Sequence, residues 1–240
     1  AGFGASLAMI SGAAFMPNIG ILSVPIFAFI FAILANTLIY LIGKSRYMSS
    51  EIMILAGIGI MFLFQALQSF MQYLATPEVL QSIVFWIFGS LTKANIMNTL
   101  VVLFSLGICF SLTLMDSWKL TALRLGDEKA SNLGVNVKKL RIKVFILISV
   151  LTSVAVSFVG TIGFIGLVGP HIARMLVGED QRFFLPISTL CGMLILSVAS
   201  IGSKTVVPGI IFPIGILTSL IGIPFFFSLI LTKKGRYGKC

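Results

Sequence analysis

The chain has 240 residues, of which 58% are hydrophobic and only 10% charged, with a formal net charge of +10 and a mean hydropathy of +1.11. Soluble domains are about a quarter charged, so an ordinary soluble fold is excluded and a polytopic α-helical membrane protein is indicated. The excess positive charge does not point to nucleic acid. All but Lys93 and Lys204 of the 17 basic residues fall in clusters between apolar runs, which is a topology signal under the positive-inside rule.

In chain order, the charge-free runs 1–43, 52–77, 94–115, 144–173, 183–203 and 205–232 carry the expected spans. Strong spans are expected at 20–42, 52–74, 96–115, 144–162, 184–203 and 211–232, and weaker ones at 1–16 and 164–178, because a crossing needs roughly 20 apolar residues. The first residue is Ala1 and no signal-peptide n-region or cleavage site precedes the first apolar run, so a truncated or processed start is expected. Segment 79–92 is too short to span. Its Phe85, Trp86 and Phe88 predict a helix lying at the outer interface, where aromatic residues gather. The other outer connections are expected around 16–20 and 203–210.

Residues 116–143 form the one sizeable polar stretch and are expected to be an inner loop. Within it, 125–134 predicts a short helix with Asp127 and Glu128 at its N-terminus and Gly134 at its end. Leu125, Ala130 and Leu133 are expected to give that helix a small apolar face. Two readings are open: a solvated loop with one helical turn, or a docking helix for a cytoplasmic partner.

The stretch 160–174 combines four regularly spaced glycines, Gly160, Gly163, Gly166 and Gly169, with Pro170, His171 and Arg174. Glycines at that density predict close backbone approach within the membrane. If 164–178 crosses, every clustered cation falls on one side; if it does not, the cations divide between the two sides. The positive-inside rule therefore predicts that this segment turns at the outer face and returns as a close-packed hairpin, with the C-terminus inside. His171 is expected to be a hydrogen-bonded structural residue rather than a ligand, and Arg174 to meet inner headgroups or helix-end carbonyls.

Several chemistries have no carriers. All seven acids lie outside the centres of the spans, which argues against a proton relay. Gly43-Lys44-Ser45 lacks the earlier glycine of a phosphate loop, so ATP binding by the chain itself is not expected. Cys109, Cys191 and Cys240 show no paired spacing, and neither a metal site, a cofactor nor enzymatic machinery is expected.

The stretch 160–174 resembles the signature of the FecCD-type permeases, the membrane subunits of ABC importers for iron–siderophore, haem and cobalamin. Other stretches agree in order: Leu55-Ala56-Gly57-Ile58, Trp86-Ile87-Phe88-Gly89-Ser90-Leu91, 125–134, Gly178-Glu179-Asp180, Pro213-Ile214-Gly215 and 221–226. This chain departs from the family pattern at Gln181, where His is usual, at Ile211, where an acid is usual, and at Ser200 and Lys204, which replace an Asp–Arg pair. The resemblance implies an all-α single transmembrane domain over 1–240, with about eight transmembrane helices of a ten-helix type II ABC importer permease fold, the first two being absent. It further implies a homodimer in the cell membrane, in contact with lipid, served by cytoplasmic ATPase subunits and an extracytoplasmic substrate-binding protein.

In that frame Leu125, Gly126, Asp127, Glu128, Ala130, Leu133 and Gly134 form the ATPase-coupling loop, and Lys204 docks the binding protein. The family places the pathway along the spans at 52–74 and 211–232, where Gly57, Ala66, Ser69, Thr218 and Ser219 are candidate lining residues. The glycine signature with Pro170, His171 and Arg174 serves helix packing. A secondary carrier or channel, or a non-transporting membrane scaffold, are the alternatives.

Overall fold

A computed structural model describes residues 1–15, 20–45, 50–92, 94–205 and 212–234, and those residues form eleven α-helices and no strand. The helices are α1 (Gly2–Phe15), α2 (Gly20–Ser45), α3 (Ser50–Leu74), α4 (Pro77–Ile87), α5 (Ile96–Met115), α6 (Ser117–Leu123), α7 (Asp127–Asn132), α8 (Val137–Val159), α9 (Ile165–Val177), α10 (Gln181–Thr205) and α11 (Ile214–Lys234). Helix is the physical default here, because hydrocarbon offers backbone groups no partner outside their own segment.

Among the described residues, five segments are long and apolar enough to cross a bilayer: Ser23–Gly43, Glu51–Leu74, Ile96–Met115, Val137–Val159 and Gln181–Thr205. The two weaker expected spans are short helices. α1 has 14 residues and α9 has 13, which at 1.5 Å per residue is about 20 Å against roughly 30 Å of hydrocarbon.

Contacts nevertheless place the two ends of α9 on opposite sides of the bundle. Its start follows Gly160, whose Cα lies beside the end of α4. Its far end joins α10 through a turn held to α6, since the Gln181 N–H donates to Thr121 Oγ1 at 3.0 Å. α9 thus returns from the α4 side to the α6 side, as the charge pattern requires. It does so packed mainly against α10 rather than α8.

The polar stretch 116–143 is more ordered than a loop. α6, α7 and the first turns of α8 occupy most of it, so Lys138, Lys139, Arg141 and Lys143 stand on a helix that begins at Val137. Asn136 sets that start by accepting the Lys139 N–H at 3.0 Å. Asn95 does the same for α5, accepting from the Asn98 N–H at 2.8 Å.

Trp86 does not sit among headgroups. It is 5% exposed and packs with Ala5 and Ala28, flanked by Met9, Val24 and Val156. α4 is therefore wedged into the bundle by its tryptophan, while Phe85 remains 55% exposed. The fully buried positions are mostly small, among them Ala5, Ala28, Ser153 and Ser203. Close backbone approach substitutes for the hydrophobic drive that lipid removes. Of the outer connections expected around 16–20 and 203–210, residues 16–19 and 206–210 lie outside the described residues.

Candidate functional site

The α6–α7 segment forms a braced platform. Ala130 is fully buried and packs with Ala122, Val135 and Leu140. The expected three-residue apolar face is therefore split: Ala130 points inward, whereas Leu125 and Leu133 are 59% and 57% exposed. Gly126 at φ +103° and Gly134 at φ +83° turn the chain sharply at both ends of α7. Asp127 Oδ1 pairs with Arg141 Nη2 at 2.9 Å, tying α7 to α8. Asp127 and the exposed Glu128 edge an open groove of about 730 Å³ with Ser131, Asn132, Lys138 and Arg141.

Two further ion networks hold this platform, and neither was predicted. The buried Asp116 carboxylate accepts Lys119 Nζ at 2.6 Å and Lys143 Nζ at 2.5 Å. Those two ammonium groups hold its carboxyl below the usual carboxylate range, against the opposing effect of burial. Glu179 Oε1 accepts Arg124 Nη2 at 2.5 Å and lies 3.7 Å from Arg174 Nε. Arg174 also stacks over the Phe184 ring at 5.8 Å. It thus meets a carboxylate and an aromatic face while its side chain stays 48% exposed. The acids and bases were visible in the sequence, but Arg124 and Glu179 are 55 positions apart, and no local spacing announces such a pair.

On the opposite side, the glycine signature joins three elements. Gly160 adopts φ +75°, and a Cβ there would overlap the Trp86 carbonyl oxygen. A Cβ on Gly89 would meet Thr161 O at 2.6 Å, and one on Gly215 would strike Phe88 O. The last carbonyls of α4 are satisfied across this junction. The Thr161 hydroxyl donates to Ile87 O, and the Gly215 N–H donates to Phe88 O at 3.0 Å.

The remaining signature residues divide by role. Gly169 packs on α10, where a Cβ would lie 3.2 Å from Gly192 N. Within the single chain Gly163 and Gly166 face open space, so only Gly160 and Gly169 of the four make close approaches there. Pro170 lies inside α9 and is half-buried. His171 is half-buried with its ring edge-on to Phe225, centroids 5.7 Å apart. Among the described residues no group of three metal-ligating side chains occurs.

The candidate lining residues also separate. Ala66 and Ser69 are exposed on α3 and Gly57 is half-buried there. Ser219 lines a groove of about 390 Å³ with Ile87, Phe88, Thr161 and Ile223. Thr218 is instead buried, 3% exposed, with its hydroxyl donating to Gly215 O at 3.2 Å, so it is a packing residue. Lys204 is exposed at the end of α10, on the α4 side of the bundle.

Long apolar helices, small-residue packing and a charged platform at one face define a multi-pass helical membrane protein. The sequence profile of the FecCD transport family matches residues 1–232, and the chain belongs to that family. It is 39% identical over 214 residues to a putative ABC transporter permease protein of Methanocaldococcus jannaschii, covering 89% of this chain and 61% of the relative. It is 36% identical to the hemin transport system permease protein HmuU of Yersinia pestis, covering 91% and 65%. With the vitamin B12 import system permease protein BtuC of Vibrio vulnificus it shares 34% identity, covering 98% and 71%. A solved inward-facing conformation of a putative metal-chelate type ABC transporter superposes with a TM-score of 0.82 at 34% identity, over 96% of this chain and 72% of that one. The chain thus spans a little under two thirds of the length of the first two relatives.

Proposed function

We propose that the chain acts as the membrane-spanning permease of an ABC importer that takes up an iron chelate, haem or cobalamin, working as a homodimer with separate ATPase subunits. The observation that carries this reading is the α6–α7 platform. Two leucines, Leu125 and Leu133, stand exposed at either end of a short helix whose underside is locked by Ala130 and the Asp127–Arg141 pair. A rigid polar segment that displays apolar side chains beyond the membrane is suited to receive a push from a soluble partner. The named cargoes of the relatives, hemin and vitamin B12, support the substrate class.

In this reading the α6 side faces the cytoplasm, because the clustered cations stay inside under the positive-inside rule. Lys204 then faces outward as a docking charge for a substrate-binding protein. It offers a point charge rather than the bidentate fork of an arginine. The faces of α3 and α11 that carry Ala66, Ser69 and Ser219 line the pathway between protomers.

The reading is tested by co-expressing the chain with its ATPase subunit and capturing the complex from detergent. The wild-type chain retains the ATPase, while Leu125→Asp/Leu133→Asp loses it and keeps its thermal unfolding temperature. Failure of the wild-type chain to retain any ATPase subunit removes the importer assignment.

A further inference from the structure

We propose that the α5–α6–α8 corner holds the phosphate of an anionic phospholipid from the leaflet on the α6 side. A cavity of about 320 Å³ opens there, lined by Asp116, Asn136 and three lysines, Lys119, Lys139 and Lys143. Asp116 is the first residue after the Ile96–Met115 span, and Lys143 lies in the second turn of the Val137–Val159 span. The cavity therefore sits at headgroup depth rather than out in solvent.

The charge arrangement fits an anion. One buried carboxylate faces three cations, leaving an excess of two positive charges. Asp116 fixes Lys119 and Lys143 through short ion pairs, yet their side chains remain 40% and 42% exposed. An ammonium has three donors, so each lysine keeps N–H groups for a phosphate oxygen. Basic pockets between transmembrane helices at this level suit acidic lipid headgroups.

The apolar surroundings point to a lipid rather than a free ion. Leu100, Phe104, Ile108 and Met115 are exposed along α5 at helical spacing, and Met115 is 74% exposed at its end. Trp118 follows on α6 at 52% exposure, an amphipathic ring at the membrane boundary beside the lysines. Acyl chains along α5 would bring a headgroup to this corner. The inference needs only the membrane-spanning fold and is independent of transport.

The test uses the full chain in phosphatidylcholine vesicles doped with brominated phosphatidylglycerol or brominated phosphatidylcholine, reading tryptophan quenching. Trp86 is buried, so the signal reports Trp118. Brominated phosphatidylglycerol is expected to quench more strongly at equal mole fraction. Lys139→Gln, at a side chain in no carboxylate pair among the described residues, is expected to lower that preference ~5-fold, and Lys119→Gln/Lys139→Gln further. Lys129→Gln on α7 removes the same charge away from the cavity and leaves the preference unchanged. Equal quenching by the two lipids overturns the proposal, as does an equal loss in Lys129→Gln, which marks diffuse attraction. Loss of the preference in millimolar inorganic phosphate, against chloride of matched ionic strength, overturns the lipid assignment in favour of a free phosphate site.

Discussion

At the scale of single residues, two glycines of one signature behave oppositely. Gly160 combines a left-handed φ with contact against a carbonyl oxygen, so Gly160→Ala is expected to cost about 1–3 kcal/mol. Gly166 lies in α9 with nothing near its absent side chain, so Gly166→Ala is expected to be neutral or stabilising by up to ~1 kcal/mol. Thermal unfolding in detergent checks both; equal effects would refute the division. Asp116 makes a separate, pH-dependent prediction. Its folded pKa is depressed by Lys119 and Lys143. The stability it contributes is therefore complete above its unfolded value of about 4 and is lost as pH falls through the folded value. Asp116→Asn is expected to cost about 1–2 kcal/mol at neutral pH, discounted because both lysines are partly solvated. The gap between wild type and variant should close below about pH 4; a gap independent of pH would contradict the assigned role.

At the scale of elements, α7 shows how far local pattern reaches. The acids at its start and the glycine after its end were legible, because both act within one turn of the backbone. Which apolar residue in and beside it is buried was not legible, because that depends on Ala122, Val135 and Leu140, brought from α6, the α7–α8 turn and α8. The consequence is testable: Ala130→Leu overpacks a fully buried site and is expected to cost about 1–3 kcal/mol. Leu133→Ala is expected to leave stability within about 0.5 kcal/mol. α4 teaches the same lesson through Trp86. An aromatic-rich segment too short to span reads as interfacial, yet Ala5 and Ala28 supply a socket that the segment itself does not reveal.

At the scale of the whole molecule, the charge clusters and the contacts agree on sidedness. α9 begins beside α4 and ends beside α6, and α11 begins beside α4 through the Gly215–Phe88 hydrogen bond. The measurement that checks sidedness is labelling with a membrane-impermeant thiol reagent in a background lacking Cys109, Cys191 and Cys240. Leu133→Cys and Lys204→Cys are expected to react from opposite faces of the membrane; labelling of both from one face would overturn the topology.

Composition alone determined that the chain is helical and membrane-spanning, since unpaired backbone and charge are both penalised in hydrocarbon. Charge placement along the chain then determined which loops share a side. The ordered glycine and coupling motifs determined the family. Tertiary structure decided the rest: that Glu179 holds Arg124 and Arg174, that Asp116 holds Lys119 and Lys143, and that Thr218 turns inward while Ser219 lines a groove. These outcomes depend on which distant helices meet. In a bilayer that choice rests on backbone approach and side-chain pairing between segments, which no single stretch of apolar sequence encodes.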